Sequence, residues 1–435
     1  MALEPGGSSI AMKTRMLASA FALTLIAPAF ITSAVNAQQE VKIGVLMPLS
    51  GPVAQVGIDG VAAMRAAVEI VNEGADLPLP LAKSKGLPGL KGAKVRLIVA
   101  DHQGKPEVGQ GETERLINQE KVHVMFGAYF SSVTAASSQV AERAGIPYVN
   151  GSSSQPALTQ RGLKWFFRTS PNDEHFTHVM FDFMKDFTKK TGKKIETVAI
   201  IHEDTAFGTD SARVQEKLAK DNNIKVAEKI AYKAQTTSLT AEIQRLKAAN
   251  ADVLLPSSYT SDTFLMLRTA KELDYNPKLL VAQNAGFTDP TFISTMGKDA
   301  EGAITRSPYN ADLEKRIPMI SKVNAIFKKH SNGRDLSDVP AREFTAMMTL
   351  LDAINRAGST EPEKIRVALT QTDIPADQLI VPYRGVKFGA NGQNELVRPI
   401  LMQVQNGRYC TIYPFELAAC EMKYPAPTWA EKGKM

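Results

Sequence analysis

The chain has 435 residues, 44% hydrophobic and 22% charged, with a formal net charge of +6. This is the composition of an ordinary globular protein, long enough for two or three domains with cores of their own. The mild basic excess carries no clustered basic stripe, which argues against a nucleic-acid partner.

Lys13 and Arg15 precede an apolar run from Met16 to Ile31, and Val35 and Ala37 then stand at the minus three and minus one positions. This three-part pattern reads as a secretory signal peptide over residues 1–37, cut after Ala37, with Met12 a better start than Met1. The run is too short for a membrane anchor, and no later stretch is apolar enough to span a bilayer. An exported mature chain of 435 − 37 = 398 residues follows.

Along that chain, β-branched runs alternate with amphipathic stretches. "VKIGVLMPL" (41–49) predicts a strand, "SGPVAQVG" a loop, and "IDGVAAMRAAVEIVNE" a helix burying Val61, Met64, Val68 and Val71. The Pro/Gly-rich segment 74–92 reads as an exposed loop. Strands are predicted at 93–101, 122–127 and 146–150, with helices at "GETERLINQE" and "SSVTAASSQVAERAG" between them. The order then restarts: strand "TVAIIHED", loop "TAFG", helix "TDSARVQEKLAKDN", helix "LTAEIQRLKAAN", strand "ADVLLPSS", helix "YTSDTFLMLRTAKELD" and strand "PKLLVAQN". "RLINQEKVHVMFGAYFSS" and "RLKAANADVLLPSSYTSD" share one order of helix end, strand and hydroxyl-rich turn. Two similar α/β lobes with parallel sheets follow. Ligands of such sheets collect at the carboxyl ends of strands. Those ends carry Ser131, Ser132 and Ser152–Ser154 in the first lobe, and Asp204–Phe207, Ser258, Tyr259 and Asn284 in the second.

Catalysis has weak support. His175 and His178 have metal-ligand spacing on a helix, but a solvated helix face is the favoured reading. "HED" (202–204) sits on the cleft rim. "GSSSQ" lacks the second glycine of a nucleophile elbow, and "GQGET" lacks the third glycine of a dinucleotide fingerprint. No enzyme activity, metal or cofactor is expected. Cys410 and Cys420, close together in an exported chain, are expected to form a disulfide. The helix start at Ser131 suits a carboxylate, with Ser131 also able to cap the helix. Ser152 and Ser154 should point one way, with a hydroxyl and a carbonyl accepting from an ammonium, and Ser153 turned aside.

"VKIGVLMPLSGPVAQVG", "GAYFSSVTAASSQVAERAGIPYVNGSSSQPALTQRG", "RTSPND", "IIHEDTAFG" and "GKDAEGAITRSPY" resemble the Leu/Ile/Val-binding proteins, type I periplasmic solute-binding components of ABC transporters. The resemblance implies two Rossmann-like lobes joined by a three-segment hinge crossing near Ser170, Asn284–Asn310 and Thr372. It places residues 38–170 plus 311–372 in one lobe and 171–310 plus 373–435 in the other. It implies that Ser131 and Ser154 hold the α-carboxylate and α-amino groups, that the Ser152 carbonyl meets the amine, and that Phe207 and Tyr259 close the second jaw, with Tyr129 beside them. Where relatives place an acid for the ammonium, this chain has Asn284 or Ala285. The implied role is periplasmic capture of a small amino acid, branched-chain by preference, by a monomer that delivers it to a membrane permease. The alternatives are a non-amine or aromatic carboxylate as ligand, or a ligand-sensing component.

Overall fold

The computed structural model describes residues 40–435; the expected signal peptide and its cleavage site lie outside the described residues. The first part alternates strand and helix as far as its fourth strand, and a fifth strand follows with only a short 3-10 turn between: β1 (Glu40–Met47), α1 (Ala54–Glu73), β2 (Lys94–Asp101), α2 (Pro106–Asn118), β3 (Val124–Gly127), α3 (Ser131–Ala144), β4 (Tyr148–Asn150) and β5 (Phe166–Arg168). The strands make one parallel sheet in the order β2-β1-β3-β4-β5. Val41, Ile43, Val45, Leu46 and Met47 of β1 are all buried, as expected of a strand covered on both faces. α1 begins at Ala54, so residues 54–57 are its first turn and not a loop. Gly57 permits this: a Cβ there would stand 1.8 Å from the Pro48 carbonyl oxygen.

The order restarts with α4 (Asp173–Thr191), β6 (Thr197–Glu203), α5 (Ala206–Asp221), β7 (Lys225–Tyr232), α6 (Thr240–Ala249), β8 (Val253–Ser257), α7 (Thr260–Glu272), β9 (Val281–Ala282), α8 (Phe292–Met296) and β10 (Ile304–Ser307). β7, β6 and β8 are parallel, and a bridge from Leu254 to Leu280 continues them toward the parallel pair of β9 and β10. β7 escapes sequence reading because its lysines and glutamate lie along the sheet edge, where polar residues are tolerated and the apolar run is broken.

The chain then returns to the first sheet. α9 (Met319–His330), α10 (Asp338–Ala357) and α11 (Pro362–Thr370) bury Val323, Phe327, Phe344, Leu350, Leu351 and Leu369 in the same core as α1 and β1. The segment expected as an exposed loop, 74–92, buries Leu77, Leu79, Leu87 and Leu90 there as well. Its prolines and glycines shape the backbone while its leucines pack. β11 (Asp373–Pro375) and β12 (Gly385–Lys387) pair antiparallel, and β13 (Ile400–Gln405) and β14 (Arg408–Tyr413) extend the second sheet from β10 before α12 (Trp429–Lys434).

Ile374, Ile380, Tyr383, Val386 and Phe388, just beyond the crossing expected near Thr372, are buried in the same cluster as β1. Gln393 Nε2 donates to the Ser170 carbonyl at 2.9 Å and Asn394 Nδ2 to the Thr169 carbonyl at 3.0 Å. Cys410 and Cys420 form a disulfide. Among the described residues, no helix is long and apolar enough to cross a membrane.

Candidate functional site

Each helix start near the cleft follows a strand end. β3 runs out at Gly127 and α3 starts at Ser131, β6 ends at Glu203 and α5 starts at Ala206, and β8 ends at Ser257 and α7 starts at Thr260. The structure brings Tyr129, Ser131, Ser152, Ser154, Phe207, Tyr259 and Asn284 to one cavity, together with Ala285, Arg306 and Arg342. All seven residues singled out from the sequence are buried. The cavity is small, about 10 Å³, room for about one water molecule, so its walls stand almost in contact in this structure.

Aromatic rings close the cleft from both sides. Tyr259 lies 5.8 Å from Tyr129, 4.4 Å from Phe130 and 5.2 Å from Phe207, centroid to centroid. Ser131 itself caps nothing: it is the first residue of α3, and its Oγ accepts from the Gln155 N–H at 3.4 Å.

The serine loop is held from behind. Ser153 turns away from the cavity and donates to the carbonyls of Ala128, at 2.5 Å, and Tyr129, at 3.0 Å. Arg168, fully buried, donates to the carbonyls of Ser153 at 3.1 Å and Gln155 at 2.7 Å. Burial pulls its guanidinium down to about 9. Ser152 Oγ donates to Glu343 Oε1. Burial raises the Glu343 carboxyl to about 7.

Two arginines were not anticipated from the sequence. Arg306, at the end of β10, pairs with Asp173 at 2.9 Å and stacks 3.5 Å over the Phe176 ring; both charges are at most 1% exposed. Arg342 of α10 pairs with Asp338, four residues earlier, and donates to the Ser152 carbonyl at 2.9 Å. Asp338 also accepts from Asn284 at 2.9 Å and Ser307 at 2.6 Å. A signal for Arg306 was available: a charge within "AITRSP", an otherwise uncharged strand, implies a buried partner. For Arg342 the signal was its spacing of four from Asp338 on a helix.

The other candidates resolve into structural parts. His175 caps α4: its Nδ1 accepts from the Asn172 N–H at 3.3 Å, while Asn172 Oδ1 accepts from the His175 N–H at 3.1 Å. His178 is exposed on that helix. Glu203 of "HED" accepts from Thr205 Oγ1 at 2.8 Å and the Gly208 N–H at 2.7 Å, which fixes the turn carrying Phe207. Among the described residues, no group of three or more His, Cys, Asp or Glu is placed to hold a metal.

Residues 40–408 match the family described as periplasmic binding protein. The chain is 29% identical to Leu/Ile/Val-binding protein homolog 7 of Brucella suis, over 93% of this chain and 98% of that protein. It is 30% identical to homolog 8 of the same organism, over 90% and 95% of the two chains. Its fold is similar to that of the leucine-binding protein LivK of Thermotoga maritima, with a TM-score of 0.72 and 22% identity over 86% of this chain and 97% of that one. It is also similar to LivJ of Streptococcus pneumoniae in complex with isoleucine, with a TM-score of 0.71 and 17% identity over 85% and 98%. The chain therefore belongs to the periplasmic binding proteins, a family of two-lobed solute-binding components of transporters and not of enzymes.

Proposed function

We propose that the chain is exported behind residues 1–37, captures a small carboxylate-bearing solute between its lobes, and delivers it to the membrane permease of an ABC transporter. The carrying observation is the buried cavity lined by Tyr129, Ser131, Ser152 and Ser154 on one side and Phe207, Tyr259 and Asn284 on the other. Polar groups from two lobes meeting on a space this small support capture by closure, with the hinge passing Ser170 and Gln393. The packing supports lobes of 40–170 plus 311–394 and 171–310 plus 395–435.

Similarity to a Leu/Ile/Val-binding protein homolog and to LivJ in complex with isoleucine favours a branched-chain amino acid as solute. A second reading, an acid without an α-amine, is favoured by Asn284 standing where an acidic partner for the ammonium was expected. A thermal-shift panel tests solute capture: leucine, isoleucine, valine and other amino acids against their deaminated and aromatic carboxylate counterparts. A ligand at a thousand times its Kd stabilises by about 4 kcal/mol, so a true ligand gives a large shift. No shift with any member at millimolar concentration refutes the proposal.

A further inference from the structure

The acceptors that an α-ammonium needs are already bonded within the protein. The Ser152 carbonyl accepts from Arg342 Nη1 at 2.9 Å. Ser154 Oγ accepts from Arg306 Nη2 at 3.3 Å, and the Ser154 carbonyl from the Asp173 N–H at 2.8 Å. Asn284 Oδ1 accepts from the Ala285 N–H, and its Nδ2 donates to Asp338 and to the Arg306 carbonyl. Donors remain instead: Arg306 Nε and Nη1 and Arg342 Nε are buried and bonded to none of the described residues. A buried donor left unpaired is costly, and more so when charged, so three of them on the arginines of one cavity call for acceptor atoms.

No carboxylate is spare for an ammonium. Asp173 takes Arg306, Ser211 and Gln283, and Asp338 takes Arg342, Asn284 and Ser307. Glu343 has an unbonded Oε2, but it is wedged behind the serine loop, where a Cβ on Gly151 would stand 2.1 Å from that oxygen. Glu343 is also absent from the cavity lining. An ammonium placed here would meet two guanidiniums and no free counter-charge.

We propose that the cleft selects an amine-free organic acid, a carboxylate whose neighbouring polar group is an oxygen acceptor, held by Arg306 and Arg342. This rests on the solute-capture reading above. The test is isothermal titration of the protein with L-leucine and with 4-methyl-2-oxopentanoate, which keep one carbon skeleton and differ in amine against oxo group. The oxo acid is expected to bind at least about tenfold tighter. The variant Arg306→Lys keeps the charge opposite Asp173 but removes the unbonded guanidinium donors, and should weaken the oxo acid by about tenfold or more. Equal or tighter binding of L-leucine overturns the amine-free assignment and leaves solute capture standing. Oxo-acid affinity unchanged in a folded Arg306→Lys variant overturns the role given to that arginine. Binding of neither acid overturns this assignment, and silence across the wider carboxylate panel removes solute capture with it.

Discussion

Replacing Glu343 with glutamine removes a buried carboxyl while keeping an oxygen to accept from Ser152. The wild-type carboxyl is raised by burial from 4.5 to about 7 in the folded chain. The unfolded chain therefore ionises this group first as pH rises, and the folded chain holds the extra proton between about 4.5 and 7. Stability falls wherever the folded state binds more protons, so this group's contribution is fully present below about pH 4.5 and is lost as pH rises to 7. At about 1.4 kcal/mol per pH unit, the loss across that window is about 3 kcal/mol. Urea unfolding of wild type and Glu343→Gln at pH 5 and pH 8 measures it. Wild type should lose about 2–3 kcal/mol more than the variant between the two pH values, since every other titrating group is common to both. Equal pH dependence in the two proteins would mean that Glu343 is not held protonated, and the reasoning from its burial would fail.

Ser131→Ala and Ser154→Ala should each weaken solute binding by about 1–3 kcal/mol in titration calorimetry with an unchanged urea midpoint; unaltered affinity in both would remove these hydroxyls from the site. Asp338→Ala strands the buried Arg342 charge and frees Asn284 and Ser307, so it should destabilise by about 3–5 kcal/mol in urea, and a cost under 1 kcal/mol would contradict the pairing. Reducing the Cys410–Cys420 bond, which spans a sequence separation of 10, should lower stability by about 2–3 kcal/mol through loop entropy, read as a drop in urea midpoint with dithiothreitol.

The shared location of Ser131, Ser152, Phe207 and Tyr259 was legible because it rests on a local rule. Alternating strand and helix imply a parallel sheet, and loops at strand carboxyl ends face one edge. Hydrophobic periodicity over ten or so residues carries that information, and hydroxyls and rings in such loops need no distant partner to be placed. β7 and the true start of α1 were not legible, since an edge strand tolerates charge and a first helical turn tolerates Gly and Pro nearby. Local pattern alone therefore specifies the architecture and the edge of the sheet where a ligand belongs.

The charge pattern of that edge was decided only by tertiary structure. Arg306 and Asp173 are 133 residues apart, and Arg342 meets the Ser152 carbonyl across 190. A buried charge is stable only with a partner and satisfied hydrogen bonds, and nothing local to "ITRS" or "AREF" specifies which acceptor it finds. Folding brings those guanidiniums onto the carbonyl and hydroxyl that looked free for an ammonium. The polarity of the site is thus a property of long-range packing, which periodicity cannot encode.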